Sequence, residues 1–206
     1  MPIVIVDYDV GNLRSVQKAF ERSGSDAIVS REASVVASAS ALVLPGVGAF
    51  AECMANLGKY GLSAPVKDFI SSGRPFLGVC VGYQLLFEES EEFGKCRGLG
   101  IFPGKCVKFK FTPGLDKKVP HMGWNQARYT AKGRLFDGIG DDTDFYFVHS
   151  YYPVPESAIT VTTTDYGDIF ASSIESGNVF GTQFHPEKSQ SAGLRLIKNF
   201  AALAGA

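Results

Sequence analysis

Cysteine is scarce in this sequence: there are four, Cys53, Cys80, Cys96 and Cys106, and no two form a Cys-x-x-Cys pair. That excludes the usual zinc and dithiol redox spacings and leaves four free thiols, as expected in a reducing compartment. Long apolar runs are absent as well: nothing approaches the roughly 18 residues that a membrane helix needs. The opening Met1-Pro2-Ile3-Val4-Ile5-Val6-Asp7 has neither the basic flank nor the longer apolar region of a secretory signal, so a cytoplasmic location is expected. Neither charge sign is in excess, with 20 Lys and Arg against 21 Asp and Glu and a formal net charge of -1. Opposite charges are interspersed, as in Lys67-Asp68 and Asp116-Lys117-Lys118, and no basic stripe exists to hold a nucleic-acid backbone. No metal or cofactor is expected, and neither a nucleic acid nor a membrane is an expected partner.

What is present describes a globular chain. Its 206 residues, 45% hydrophobic and 20% charged, suffice for a continuous core, and one domain spanning 1–206 is expected. The first half alternates strand and helix. Ile3 to Val6, Ala27 to Val29, Ala41 to Leu44 and Pro75 to Val79 are short apolar runs of the buried-strand kind. Leu13, Val16 and Phe20 fall on one helical face, with Asn12 to cap it and Gly24 to stop it, and Pro65 to Ser72 reads as a second helix. This βαβ rhythm predicts an α/β fold: a mostly parallel central sheet with helices on both faces and functional loops at the carboxyl ends of the strands. From Ile101 onward, Val107 to Phe111, Phe145 to Val148, Ile159 to Thr164, Ile169 to Ile174 and Val179 to Gln183 read as short strands added antiparallel. A closing helix after Ser189 shares Leu196, Phe200 and Leu203 on one face.

The chemistry concentrates at Gly78-Val79-Cys80-Val81-Gly82-Tyr83-Gln84. A cysteine between an apolar strand and an expected helix, with glycines two positions to either side, has the pattern of a nucleophile elbow. The glycines permit a sharp turn where side chains would strike neighbouring backbone. A following helix would favour thiolate, and the Val81 amide is placed to donate to an oxyanion. Gln84, one helical turn on, shares the cysteine's face and is expected at the substrate.

Such a nucleophile needs a base, and the sequence offers only His121, His149 and His185. His185 stands at the end of an apolar strand in Gln183-Phe184-His185-Pro186-Glu187-Lys188. In an extended chain Glu187 would point the same way as His185, where it can fix the imidazole tautomer and stabilise imidazolium. Phe145 to Tyr151 and the Pro120 to Asn125 segment hold the other two histidines among aromatics too dense for a single buried face. Part of that surface is therefore expected to meet a partner or ligand.

Taken together, Gly78-Val79-Cys80-Val81-Gly82-Tyr83-Gln84 and His185-Pro186-Glu187 resemble the triad-type, or class I, glutamine amidotransferases of flavodoxin-like fold. Asp7-Tyr8-Asp9-Val10-Gly11-Asn12, Pro45-Gly46-Val47-Gly48-Ala49-Phe50, Pro120-His121-Met122-Gly123-Trp124-Asn125 and Lys188-Ser189 narrow the resemblance to the glutaminase subunits of imidazole glycerol phosphate synthase, from Ile3 to Phe200. Val81 and Tyr83 stand where Leu and Met are more usual, which leaves the nucleophile and both glycines intact. The resemblance implies Cys80, His185 and Glu187 as a catalytic triad, with Val47 and Gly48 joining Val81 at the oxyanion. It also implies Gly48, Gln84, His149, Ser150 and Tyr151 at the substrate glutamine. Asn12, Met122, Trp124, Asn125, Tyr146 and Lys188 would face a (β/α)8-barrel cyclase subunit that receives the ammonia.

Rival readings are a different cysteine hydrolase, a binding protein on the same fold that has lost its chemistry, and the glutaminase of pyridoxal phosphate synthase. The complete Cys80, His185 and Glu187 set counts against the second, and the Trp124 segment against the third.

Overall fold

The computed structural model describes residues 1–111 and 117–205; Asp116, one of the surface charges named above, lies outside them. In chain order the first elements are β1 (Ile3–Val6), α1 (Leu13–Arg22), β2 (Ala27–Ser30), α2 (Ala33–Ser38), β3 (Ala41–Gly46), α3 (Phe50–Lys59), α4 (Ser63–Ser71), β4 (Phe76–Cys80) and α5 (Val81–Gln84). Strands β5 (Phe87–Ser90), β6 (Cys96–Arg97), β7 (Phe102–Lys108), β8 (His121–Tyr129), β9 (Thr143–His149), β10 (Tyr151–Pro155), β11 (Thr160–Asp165), β12 (Ile169–Ser176) and β13 (Val179–Thr182) follow. Helix α6 (Gln190–Leu203) ends the series.

A nine-stranded sheet runs β2-β1-β3-β4-β13-β12-β11-β8-β9, and a four-stranded one runs β10-β7-β5-β6. From β2 to β13 every pairing in the large sheet is parallel, and from β13 to β9 every pairing is antiparallel. The strands read as continuous apolar runs are those covered on both sides: every residue of β1, β3 and β4 is buried. Helices α1 and α6 pack together, as do α2 and α4, and these layers cover the parallel strands. Asn12 caps α1, its side chain accepting from the Ser15 amide at 3.4 Å.

Three expectations need correction. Val179 to Gln183 was expected among the antiparallel additions, yet β13 lies parallel to β4 and joins the two halves of the sheet. Apolar patterning reports burial and not strand direction. The helix expected beyond Cys80 is a single turn, because the chain passes almost at once into β5; with so few peptide units, the dipole argument for that helix falls away. Finally, His185 and Glu187 do not meet in extended chain. Pro186 opens a 3-10 turn over Pro186–Lys188, and that turn brings the two side chains together.

Candidate active site

The register of the parallel strands builds the site. Gly46 at the end of β3 pairs with Cys80 at the end of β4, and Thr182 at the end of β13 pairs with Val79. Three chain ends therefore turn out of the sheet side by side at its carboxyl edge. Cys80 adopts φ 56° and ψ -111°, a left-handed conformation that a residue with a side chain holds only when its surroundings enforce it. The surroundings are glycines. A Cβ on Gly82 would stand 1.8 Å from the Leu44 carbonyl oxygen, one on Gly78 would stand 2.7 Å from the Gly82 oxygen, and one on Gly46 2.7 Å from the Gly82 nitrogen. The turn after Cys80 lies on the backbone of β3 with no room for a methyl group.

Beside this elbow is a cavity of about 270 Å³, just below the range of about 300–1,000 Å³ typical of drug-sized ligands and so scaled to a smaller molecule. Val47, Gly48, Cys80, Val81, Gln84, His149, Ser150, Tyr151 and His185 all line it, so every residue expected at the oxyanion or the substrate reaches one place. Glu187 stands behind His185, its Oε1 at 2.8 Å from His185 Nδ1, and both side chains are buried. Among the described residues His185 Nε2 has no hydrogen-bond partner, and neither has Glu187 Oε2. Burial alone would lower the His185 pKa. The Cys80 sulfur and the Glu187 carboxyl outweigh burial and hold the value at about 10, although no aligned hydrogen bond joins Nε2 to the sulfur.

His121 and His149 behave in the opposite way. They face each other across the β8–β9 pair, Nδ1 of the first 3.1 Å from Nε2 of the second. Burial pushes His121 down to about 4, helped by the Lys117 charge, and His149 down to about 3. Burial likewise drives the Cys53 thiol up to about 12 and raises that of Cys106. These two cysteines are packing groups.

Strand alternation resolves the crowded aromatics. Phe145, Phe147 and His149 point into the core, while Tyr146 turns outward against Trp124, with ring centroids 6.1 Å apart. Met122 is 63% exposed and Trp124 48%, and the Lys188 ammonium lies over the Tyr146 ring at 5.7 Å. This is a contiguous apolar and aromatic surface close to the pocket but outside it. Asn12 is exposed beside its helix cap. Asn125 differs from the rest of the set, because its amide turns inward to His121 Nε2 at 3.2 Å and the Asp165 carbonyl at 2.9 Å.

Sequence reasoning passed over three groups at or beneath the pocket. The Val148 carbonyl lies 3.8 Å from the Cys80 sulfur; Glu92 lines the pocket and accepts from the Phe50 amide at 2.6 Å; and Gln183 reaches the sulfur with its side-chain amide at 3.8 Å. Only Gln183 left a trace in the sequence, as a polar residue in an otherwise apolar strand end.

A cysteine on an elbow between a parallel strand and a helical turn, opposite a histidine paired with a buried carboxyl, is the architecture of a cysteine hydrolase on an α/β sheet. The class-I glutamine amidotransferase family matches residues 4–203. The chain is 53% identical over 202 residues to the imidazole glycerol phosphate synthase subunit HisH of Syntrophotalea carbinolica, covering 96% of this chain and 98% of that protein. It is 48% identical over 202 residues to the protein of the same name from Aquifex aeolicus, covering 97% and 96%. Among solved structures, a glutamine amidotransferase superposes with a TM-score of 0.72 at 23% identity, over 98% of this chain and 99% of that one. A protein described as a GMP synthase component, from Thermoplasma acidophilum, gives 0.72 at 20% identity, over 100% and 94%. At these identities the two structures speak to the fold alone. The chain belongs to the class-I glutamine amidotransferases and, within them, to the family of the HisH subunits of imidazole glycerol phosphate synthase.

Proposed function

We propose that this chain hydrolyses glutamine to glutamate and ammonia and delivers the ammonia to a (β/α)8-barrel cyclase subunit, which closes an imidazole ring to give imidazole glycerol phosphate and AICAR in histidine biosynthesis. The observation that carries the reading is His185 on the wall of the pocket into which the elbow presents Cys80, with the Glu187 carboxyl buried behind it at 2.8 Å. Cys80 thiolate adds to the side-chain carbonyl carbon of glutamine. The resulting oxyanion takes hydrogen bonds from the Val81 amide and from the Val47–Gly48 loop. His185 Nε2–H gives its proton to the departing nitrogen, ammonia leaves, and a γ-glutamyl thioester remains.

The His185 value of about 10 suits that order of events, since the imidazole begins as the cation and donor. Forming the thioester removes the sulfur's charge, one of the influences that raise the value, and so readies the ring to take a proton from the water that hydrolyses the thioester. Glu187 holds Nδ1 throughout and fixes which nitrogen exchanges protons. Gln84, His149, Ser150 and Tyr151 line the part of the pocket that receives the amino-acid end of the substrate. Met122, Trp124, Tyr146 and Lys188, with Asn12 and the backbone around Asn125, form the face offered to the barrel.

The test is glutamine hydrolysis by single variants. Cys80→Ala is expected to abolish turnover and thioester formation while leaving the fold intact. His185→Ala should be nearly as damaging, and His149→Ala much less so. Substantial turnover by Cys80→Ala, or a greater loss from His149→Ala than from His185→Ala, overturns the assignment.

A further inference from the structure

The Cys80 sulfur is touched by two polar groups besides the histidine nearby. The Val148 carbonyl oxygen, at 3.8 Å, can only accept, so it stabilises the thiol and opposes the thiolate. Gln183 Nε2, also at 3.8 Å, can only donate. Which end of the Gln183 carboxamide faces the sulfur is decided elsewhere, by a backbone carbonyl that cannot change its role. Gln84 Nε2 lies 2.9 Å from the Tyr151 oxygen and 3.1 Å from Gln183 Oε1. Turning Gln84 over would set oxygen against the Tyr151 oxygen. Turning Gln183 over would set nitrogen against the Gln84 nitrogen. Both side chains are buried, so either reversal would leave polar groups facing like partners without water to relieve them. The Gln183 N–H is thereby aimed at the sulfur.

The same carbonyl anchors a second branch. His149 Nδ1 lies 2.9 Å from the Tyr151 oxygen and must carry the hydrogen; its Nε2 then accepts from His121 Nδ1, and His121 Nε2 accepts from Asn125 Nδ2. Every one of these bonds has a fixed direction: the histidine branch ends on the Tyr151 oxygen, and the glutamine branch ends on the Cys80 sulfur.

We propose that Gln183 is a further catalytic residue, whose carboxamide donates to the Cys80 sulfur and stabilises the thiolate, in an orientation imposed through Gln84 by the Tyr151 carbonyl. The proposal rests on the reading of Cys80 as nucleophile. Gln183 is fully buried, between Thr182 and Phe184, which are buried as well. Other ionisable groups around the sulfur are His185 with Glu187 behind it, His149, Tyr151 and Glu92 on the other walls of the pocket, and Tyr8 and Cys53 beneath the β3 loop. The variants below leave all of these in place.

The experiment follows iodoacetamide alkylation of Cys80 in the full chain by peptide mass spectrometry as a function of pH, for wild type, Gln183→Met and Gln183→Glu. Loss of the donor should move the alkylation profile to higher pH. One pKa unit corresponds to about a tenfold drop in thiolate on the acid side of the curve, and Met should lose at least about that much, Glu more. A Gln183→Met protein that is folded by circular dichroism and gives the wild-type profile overturns the proposal. Should both variants unfold, the wild-type chain decides. The Gln183 side-chain amide resonances should shift with pH over the range in which Cys80 becomes reactive and should not do so in Cys80→Ala, whereas flat resonances in wild type refute the bond. Glutamine hydrolysis by Cys80→Ala separates the two readings: if it persists, the nucleophile assignment fails; if it is lost while the Gln183 result is negative, only the present proposal fails.

Discussion

Replacing Gly82 with Ala tests whether the elbow is a steric construction. The new methyl group would stand 1.8 Å from the Leu44 oxygen and 2.8 Å from the Leu44 carbon, both backbone atoms that cannot swing aside. Ordinary contact begins near 3.4 Å, so the turn after Cys80 must retreat from β3 by about 1.6 Å. That turn carries the Val81 amide and sets the direction of the Cys80 side chain. A displacement of about 1 Å in a reacting group is commonly worth about a hundredfold in rate, so glutamine turnover should fall by at least that factor. Overpacking of this kind costs about 1–3 kcal/mol, with the upper end expected because the clash is with main chain; for a chain of this size that lowers Tm by roughly 6–12 °C. Gly58→Ala is the control. It lies on the exposed side of α3, its Cβ would have no neighbour within 4 Å, and it should stabilise the protein by about 0.5–1 kcal/mol without affecting turnover. Steady-state glutaminase assays and thermal melts on the two variants decide. A Gly82→Ala enzyme within about twofold of wild type and melting at the same temperature refutes the account of the elbow.

Two further expectations concern pH and coupling. His121 and His149 titrate far below the ordinary value of 6.5, so between about pH 4 and pH 6.5 the unfolded chain binds more protons and stability rises with pH; His185, held near 10, makes the native state bind more protons between about 6.5 and 10, so stability falls with pH there. Urea midpoints should therefore peak near neutrality, and a midpoint that climbs steadily from pH 6.5 to 10 contradicts the His185 environment. The isolated chain should be a poor glutaminase that a cyclase barrel with its nucleotide ligand activates by about a hundredfold, the usual worth of one oxyanion donor, because the glycines of Pro45-Gly46-Val47-Gly48 allow a peptide to rotate into place. Equal rates for the chain alone, with barrel and with barrel plus ligand would exclude such gating.

The sequence disclosed what depends on local rules. Buried parallel strands declared themselves by unbroken apolar runs, α1 by its stripe and Asn12 cap, and the elbow by glycines whose missing side chains are needed for contact with β3. Helix α3 went unread although Phe50, Cys53 and Leu57 mark its buried face, because the Pro-Gly-Val-Gly segment before it and Gly58 within it speak for loop. Strand β8 escaped notice because neither of its faces is consistently apolar: His121, Gly123, Asn125 and Ala127 lie on the more buried side, and Met122, Trp124, Gln126 and Arg128 on the exposed one. The contacts of Gln183 with Gln84 and Cys80 were beyond reach, since they join residues brought together only when β13 docks beside β4.

That docking has a consequence for the newly made chain. Cys80 leaves the ribosome long before His185 and Glu187, and β13, which positions them, is an interior strand with β4 on one side and β12 on the other. A nascent or truncated polypeptide that stops short of β13 thus carries Cys80 without His185 and Glu187 beside it, in a sheet still missing a central member. Pairings between strands so distant in sequence form late and slowly. On the proposed mechanism, a chain in which β13 has not yet docked beside β4 cannot hydrolyse glutamine, so competence to release ammonia arrives with that docking.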